Sequence, residues 1–274
     1  MIVTIQDDFD LEKIADSGQA FRIVRVGNCW RFVAGARVLH IRQLSAHQCE
    51  ADAESSEWEK FWKDYFDLGR SYAAVRAAVP QQDRYLRHAA DVGQGIRILR
   101  QDPWEMLITF IISQRKSIPA IRSCVEALCR SFGKLLLEEQ GEPLYAFPTP
   151  ESLLAAAPEQ LADCALGYRL PYVRAAAEAV ATGKLDLKGL AALPDRELLD
   201  KLMEQYGVGI KVANCVALFA YGRTECAPVD VWIQRVIDEH YGGVNPFPKY
   251  GDAGILQQYM FYQARTEKTR SGRE

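Results

Sequence analysis

Between Gln205 and Ile210 the chain has only Tyr206-Gly-Val-Gly209 in which to end one helix and begin the next. The spacing of Leu198, Leu199, Leu202 and Met203 predicts the first helix, opened by Pro194-Asp195 and ending near Gln205. The second is predicted over Ile210 to Ala220, with Gly222 as its stop. Two glycines in so short a link let the backbone approach another group closely. The unpaired amides that open the second helix point outward and suit an anion such as a phosphate. A plain turn between two helices is the other reading open at this point.

Lys211 sharpens the choice. The residues after it, Val-Ala-Asn-Cys-Val-Ala-Leu-Phe-Ala220, are apolar almost all round, so this helix is expected to be buried. A lysine in its first turn sits at the positive end of the helix dipole. Desolvation and the dipole would both favour the neutral amine, a nucleophile able to form a Schiff base. A lysine whose stem lies on apolar surface and whose head reaches solvent is the plainer alternative. Asp230 follows in Ala227-Pro-Val-Asp-Val-Trp-Ile233. It can cap a helix over Val231 to His240, serve chemistry, or do both.

The rest of the chain places this segment. Phe21–Val26, Cys29–Val33 and Val38–Leu44, separated by Gly27-Asn28 and Gly35, read as an antiparallel meander. From Trp58 the aromatic residues recur at helical spacing, and after about Gly95 nearly everything reads as helix. Pro103 and Thr149-Pro150 open two of these helices, and Gly133 closes another. The last ten residues are polar and are expected to fray. Strands followed by helices predict an α+β chain: a sheet domain over residues 1–95 and a helical region over 96–274. Of 274 residues, 49% are hydrophobic and the formal net charge is −3, so a nucleic-acid partner would have to be met by a local patch. The acidic first twenty residues carry no secretory signal, and the longest nearly apolar run, Val212 to Tyr221, is half a membrane span. Seven cysteines without CxxC spacing argue against disulfides and zinc. A cytoplasmic protein that avoids membranes is expected.

Tyr206-Gly-Val-Gly-Ile-Lys-Val-Ala-Asn-Cys215 with Val229-Asp230 resembles the helix-hairpin-helix glycosylases of base-excision repair. Ser17-Gly-Gln-Ala-Phe-Arg22, Tyr65-Phe-Asp-Leu68, Leu99-Arg-Gln-Asp-Pro103, Leu166-Gly-Tyr-Arg169, Tyr172-Val173 and Ala253-Gly254 with Gln257 and Phe261 narrow the resemblance to 8-oxoguanine DNA glycosylases with an N-terminal sheet domain. No cysteine follows Cys226, unlike the iron–sulfur branch, and Lys211 sets the chain apart from the monofunctional alkylation glycosylases.

The resemblance implies the fold, with the helix-hairpin-helix at about 198–221 and a C-terminal helix completing the base pocket. It implies a partner, double-stranded DNA containing 8-oxoguanine, bound by a monomer that flips the lesion out. Lys211 would be the nucleophile and Asp230 the catalytic carboxylate. Cys215 and Phe261 would flank the base, Gln257 would bond its Watson–Crick edge, and the Gly18 carbonyl would accept the N7–H that guanine lacks. Gly207, Gly209 and Val212 would hold a phosphate, and Tyr168 and Arg169 would wedge the stack. No cofactor and no side-chain metal site is implied; superfamily members can carry a monovalent cation on carbonyls beneath the hairpin. Four positions depart from the pattern: Tyr206 replaces a proline, Arg115 an asparagine that reads the orphan cytosine, Ala120 an arginine used on that cytosine, and Trp232 a phosphate-contacting histidine. Arg115 can still fill the gap, but with Ala120 removing one cytosine reader, looser discrimination of the opposite base is expected. A non-catalytic DNA-binding module and a Schiff-base enzyme for small carbonyl compounds are the competing classes. The first has no need of a buried amine, and the second favours barrels whose βα alternation is missing here.

Overall fold

The computed structural model describes residues 1–271. It opens with β1 (Ile2–Thr4), α1 (Leu11–Asp16) and the strands β2 (Ile23–Val26), β3 (Cys29–Ala34), β4 (Arg37–Ser45) and β5 (Gln48–Ala51). Next come α2 (Ser55–Glu57), a π-helical stretch Trp58–Trp62, α3 (Lys63–Tyr65), α4 (Tyr72–Ala77) and α5 (Arg84–Val92). Then follow α6 (Pro103–Ser113), α7 (Ile118–Phe132), the hairpin β6 (Leu135–Glu139) and β7 (Glu142–Tyr145), α8 (Pro150–Ala155), α9 (Pro158–Ala162) and α10 (Leu170–Ala181). The chain continues through α11 (Asp195–Met203), α12 (Ile210–Tyr221), α13 (Val231–Tyr241) and α14 (Ala253–Ser271).

Two compact units emerge. One gathers residues 1–31, 39–100 and those from 222 onward; the other gathers 32–38 and 101–221. The contiguous division expected at 95/96 is therefore replaced by one in which the C-terminal helices join the N-terminal sheet. The physical reason lies in α14, which packs on α5: the Tyr259 ring lies so close to Gly93 that a Cβ there would come within 2.5 Å of it.

In the first unit the antiparallel sheet runs β1-β5-β4-β3-β2, with Ile2 opposite Glu50 and Ile41 opposite Ala51. Side chains of Asp10, Ser71 and Asp83 cap α1, α4 and α5. The aromatic run forms the interior with Trp62 and Phe66 fully buried. Arg97 is fully buried too: it donates to the carbonyls of Phe66, Asp8, Asp67 and Arg70, pairs with the Asp7 carboxylate at 3.7 Å, and lies 4.2 Å from the Tyr72 ring centroid.

Apart from residues 32–38, where β3 ends and β4 begins, the second unit is helical with one hairpin. Asp102, Ser117 and Thr149 cap α6, α7 and α8, each followed closely by proline. The hairpin β6–β7 interrupts a stretch expected to be helical throughout. Its turn residues, Gln140 and Gly141, both have positive φ, the twist that suits a two-residue hairpin. The expected fraying of the last ten residues is also corrected as far as Ser271, where α14 ends; residues 272–274 lie outside the described residues.

Candidate active site

The link between α11 and α12 is as tight as its sequence requires, but its two glycines do different work. Gly207 has φ +81°, and a Cβ there would come within 2.3 Å of the Tyr172 ring, so only glycine fits. Gly209 has open space where its Cβ would be. Its carbonyl takes the Ala213 N–H at 3.0 Å, the first helical bond of α12. The amides of Ile210, Lys211 and Val212 therefore lie in the unpaired first turn. Nothing among the described residues requires a bare Gly209; a group approaching the helix start would. The Gly207 carbonyl accepts the Gln114 side-chain amide at 3.0 Å, and the Gln205 carbonyl accepts the Val208 N–H. Each carbonyl keeps a second lone pair, so this turn can still offer oxygens to a monovalent cation. Among the described residues no cluster of three His, Cys, Asp or Glu side chains could hold a metal.

Lys211 is half-buried, while Val212, Ala213, Cys215 and Val216 are buried. Its ammonium donates to Ser113 Oγ at 3.3 Å and lies 5.4 Å from the Phe110 ring centroid. Ser113 in turn donates to the Phe110 carbonyl at 2.8 Å, so its oxygen lone pairs are turned to the lysine. Ser113 and Phe110, both on α6, were not legible as site residues.

The α6–α7 loop is laced to the segment around Gly167. Lys116 donates to the Ala165 carbonyl at 2.9 Å. The Gln114 carbonyl accepts Arg169 Nε at 2.9 Å, a second Arg169 nitrogen, and the Tyr168 hydroxyl at 3.3 Å. Arg115, next in line, is exposed and held at φ +53°, a conformation worth about 1–2 kcal/mol of strain for a side chain of this kind. An asparagine would adopt it more readily. Arg169 lies against the same carbonyls. It is 6% exposed, and its guanidinium bonds the Gln114 and Leu166 carbonyls. These two loops leave carbonyls without helical partners, and the buried cation satisfies them. Tyr168 stays 51% exposed, its ring 4.3 Å from that guanidinium.

In the first unit Asp230 caps α13. One oxygen, Oδ1, accepts the amides of Trp232 and Ile233 at 3.0 and 2.9 Å. Oδ2 takes neither, so the cap leaves one carboxylate oxygen for other work. Trp232 carries cations over its ring, Lys268 at 5.1 Å and Arg235 at 5.8 Å. The expected phosphate-contacting histidine is missing from this helix start, yet positive charge is gathered there.

Gly18 follows the C-terminus of α1 at φ +78°. Gln257 is buried on α14, and its Oε1 has no hydrogen-bond partner. An unmet buried acceptor of this kind is expensive unless a ligand supplies a donor. Phe261, one turn on, is half-buried under the Arg265 guanidinium, 5.5 Å from its ring centroid. Gln258, which sequence reasoning missed, is also buried and donates to the Ser17 carbonyl at 2.5 Å. The signal for it was two adjacent glutamines inside the apolar run Ile255-Leu-Gln-Gln-Tyr-Met260.

A family model described as 8-oxoguanine DNA glycosylase, N-terminal domain, matches residues 1–107. One described as HhH-GPD superfamily base excision DNA repair protein matches residues 108–251. A "Probable N-glycosylase/DNA lyase" of Methanothermobacter thermautotrophicus is 30% identical, with 94% of each chain covered. Among solved structures, MBOgg1 in complex with a low affinity DNA ligand matches with a TM-score of 0.91 at 37% identity, covering 97% of this chain and 95% of that one. The Clostridium acetobutylicum 8-oxoguanine glycosylase/lyase, in complex with double-stranded DNA containing cytosine opposite 8-oxoguanine, matches with a TM-score of 0.89 at 32% identity, covering 98% of both.

Proposed function

This chain belongs to the 8-oxoguanine DNA glycosylase/lyase family of the helix-hairpin-helix superfamily, and from that premise we propose that it excises 8-oxoguanine from duplex DNA and then nicks the strand through a lysine imine. The observation that carries the mechanism is Lys211, an amine in the first turn of a buried helix whose neighbours are a hydroxyl and an aromatic ring.

The chemistry divides by residue. The Lys211 amine attacks C1′ of the flipped nucleotide, and the glycosidic bond breaks with its electron pair leaving on the base. The base takes up a proton as it departs. Ring opening gives an imine between Nζ and C1′. Loss of a C2′ proton then expels the 3′ phosphate, and water releases the lysine. Positive charge builds on the sugar as the base leaves, and the Asp230 oxygen not used in capping stabilises it. For recognition, Phe261 offers an aromatic face, Cys215 a soft apolar wall, and Gln257 its unmet Oε1 to a Watson–Crick donor. The Gly18 carbonyl accepts the N7–H of 8-oxoguanine; guanine would put a lone pair there. The open amides at Gly209–Val212 hold a backbone phosphate. A monovalent cation on the hairpin carbonyls would stiffen that loop. Tyr168 meets the base stack, and Arg115 enters the vacated space. The enzyme acts as a monomer.

Arg115 and Ala120 leave fewer cytosine-specific contacts than the family pattern. Single-turnover excision of 8-oxoguanine placed opposite C, T, G and A tests this. A preference for C below about a hundredfold, roughly 2.7 kcal/mol, is expected. A larger preference would show that another group reads the cytosine.

A further inference from the structure

The turn that carries Gly18 is pinned on both sides, and only the carbonyl assigned to the lesion is left open. Arg265 donates to the Asp16 carbonyl at 2.7 Å. The Ser17 carbonyl accepts Gln258 Nε2 at 2.5 Å, and both residues are buried. The Ser17 hydroxyl donates to the Ile14 carbonyl at 2.7 Å and accepts Gln19 Nε2. The Gln19 carboxamide, fully buried, also donates to the Arg97 carbonyl and accepts the Leu99 amide. Among the described residues no donor reaches the Gly18 carbonyl.

The two neighbouring glutamines of α14 thus have opposite fates. Gln257 keeps its oxygen unmet, whereas Gln258 spends its amide on the peptide immediately before Gly18. At φ +78° Gly18 has the widest conformational freedom of any residue, so its carbonyl direction must be fixed from outside. A single acceptor distinguishes an N7–H from a bare N7 only if it points one way; a wandering carbonyl would neither accept the N7–H reliably nor stay opposed to the bare N7 lone pair.

We propose that Gln258 is a positioning residue for lesion recognition: by holding the Ser17 carbonyl it aims the Gly18 carbonyl at the N7–H of 8-oxoguanine. This rests on the reading that Gly18 meets the N7–H of the base. Gln258 touches no substrate in this account and acts through Gly18.

The test uses the full chain with Gln258→Met, which keeps length and removes the donor. Two rates are measured: excision of 8-oxoguanine opposite cytosine, and strand cleavage at a preformed abasic site, which needs Lys211 and no base. Excision is expected to fall about tenfold while abasic cleavage stays within about twofold. Unchanged excision overturns the proposal, and so does an equal fall in both rates, which marks a general loss of structure. If Gln258→Met does not fold, Gln258→Leu decides in the same two assays, because it removes the same donor with less bulk. A wild-type enzyme with no preference for 8-oxoguanine over guanine would instead defeat the reading of Gly18 itself.

Discussion

Arg169 carries two readings, a DNA contact from its motif and a brace from its surroundings. Its position in Leu166-Gly-Tyr-Arg169 suggested contact with DNA. Burial and two accepting carbonyls give it a bracing role, because they hold the peptide that precedes Arg115. The residue facing solvent in a strained backbone is Arg115 itself, and strain at an exposed loop residue is a mark of function. The two arginines should therefore fail differently. Arg169→Gln should lower thermal stability and slow excision opposite all four bases alike. Arg115→Gln should leave the melting temperature in place and change the ratios among opposite bases. An Arg169→Gln enzyme that melts normally but loses its ratios would reverse the assignment. Exposure was what the sequence withheld here: a Tyr-Arg pair at the end of a helix reads the same whether the guanidinium turns outward or inward.

At the scale of elements, the helix–turn–helix around Tyr206–Gly209 was legible because glycine spacing and caps are local signals. What each glycine is for was not. Gly207 is held by a ring from α10, Tyr172, which is distant in sequence. Gly207→Ala should be destabilising by about 1–3 kcal/mol, since the added methyl meets both that ring and an unfavourable φ. Gly209→Ala has open space for its methyl, so its melting temperature should match wild type while its affinity for duplex DNA falls. Thermal melts and DNA titrations of the two variants check this. A Gly209→Ala protein that binds DNA as tightly as wild type would remove the phosphate from this helix start. The strands of the meander were readable from bulky alternation, but β1, β5 and the hairpin β6–β7 were not. The hairpin leaves Leu135 and Leu137 exposed, so it lacks the one-sided burial that makes a strand visible. Only its Gln140-Gly141 turn could have revealed it.

Across the whole molecule, the same distance limit explains the division into units. Nothing local in Gly222–Ser271 says that these helices associate with residues from the start of the chain. The ordered family motifs carried that information instead, since they span both units. No helix among the described residues is long and apolar enough to cross a membrane. With a net charge of −3, attraction to DNA has to come from local groups such as the open amides of α12 and the cations beside Trp232. Binding that rests on few phosphate contacts should weaken only moderately with salt, while the lesion preference rests on shape and hydrogen bonds. The central claim is covalent: one amine, Lys211, joins the sugar. Borohydride reduction during reaction with a duplex carrying a single 8-oxoguanine opposite cytosine reads it directly, with wild type and Lys211→Gln side by side and an undamaged duplex as control. The account predicts a stable protein–DNA adduct with wild type on damaged DNA and none in the other lanes. An adduct that persists in Lys211→Gln, or none with wild type that still binds the duplex, would contradict it.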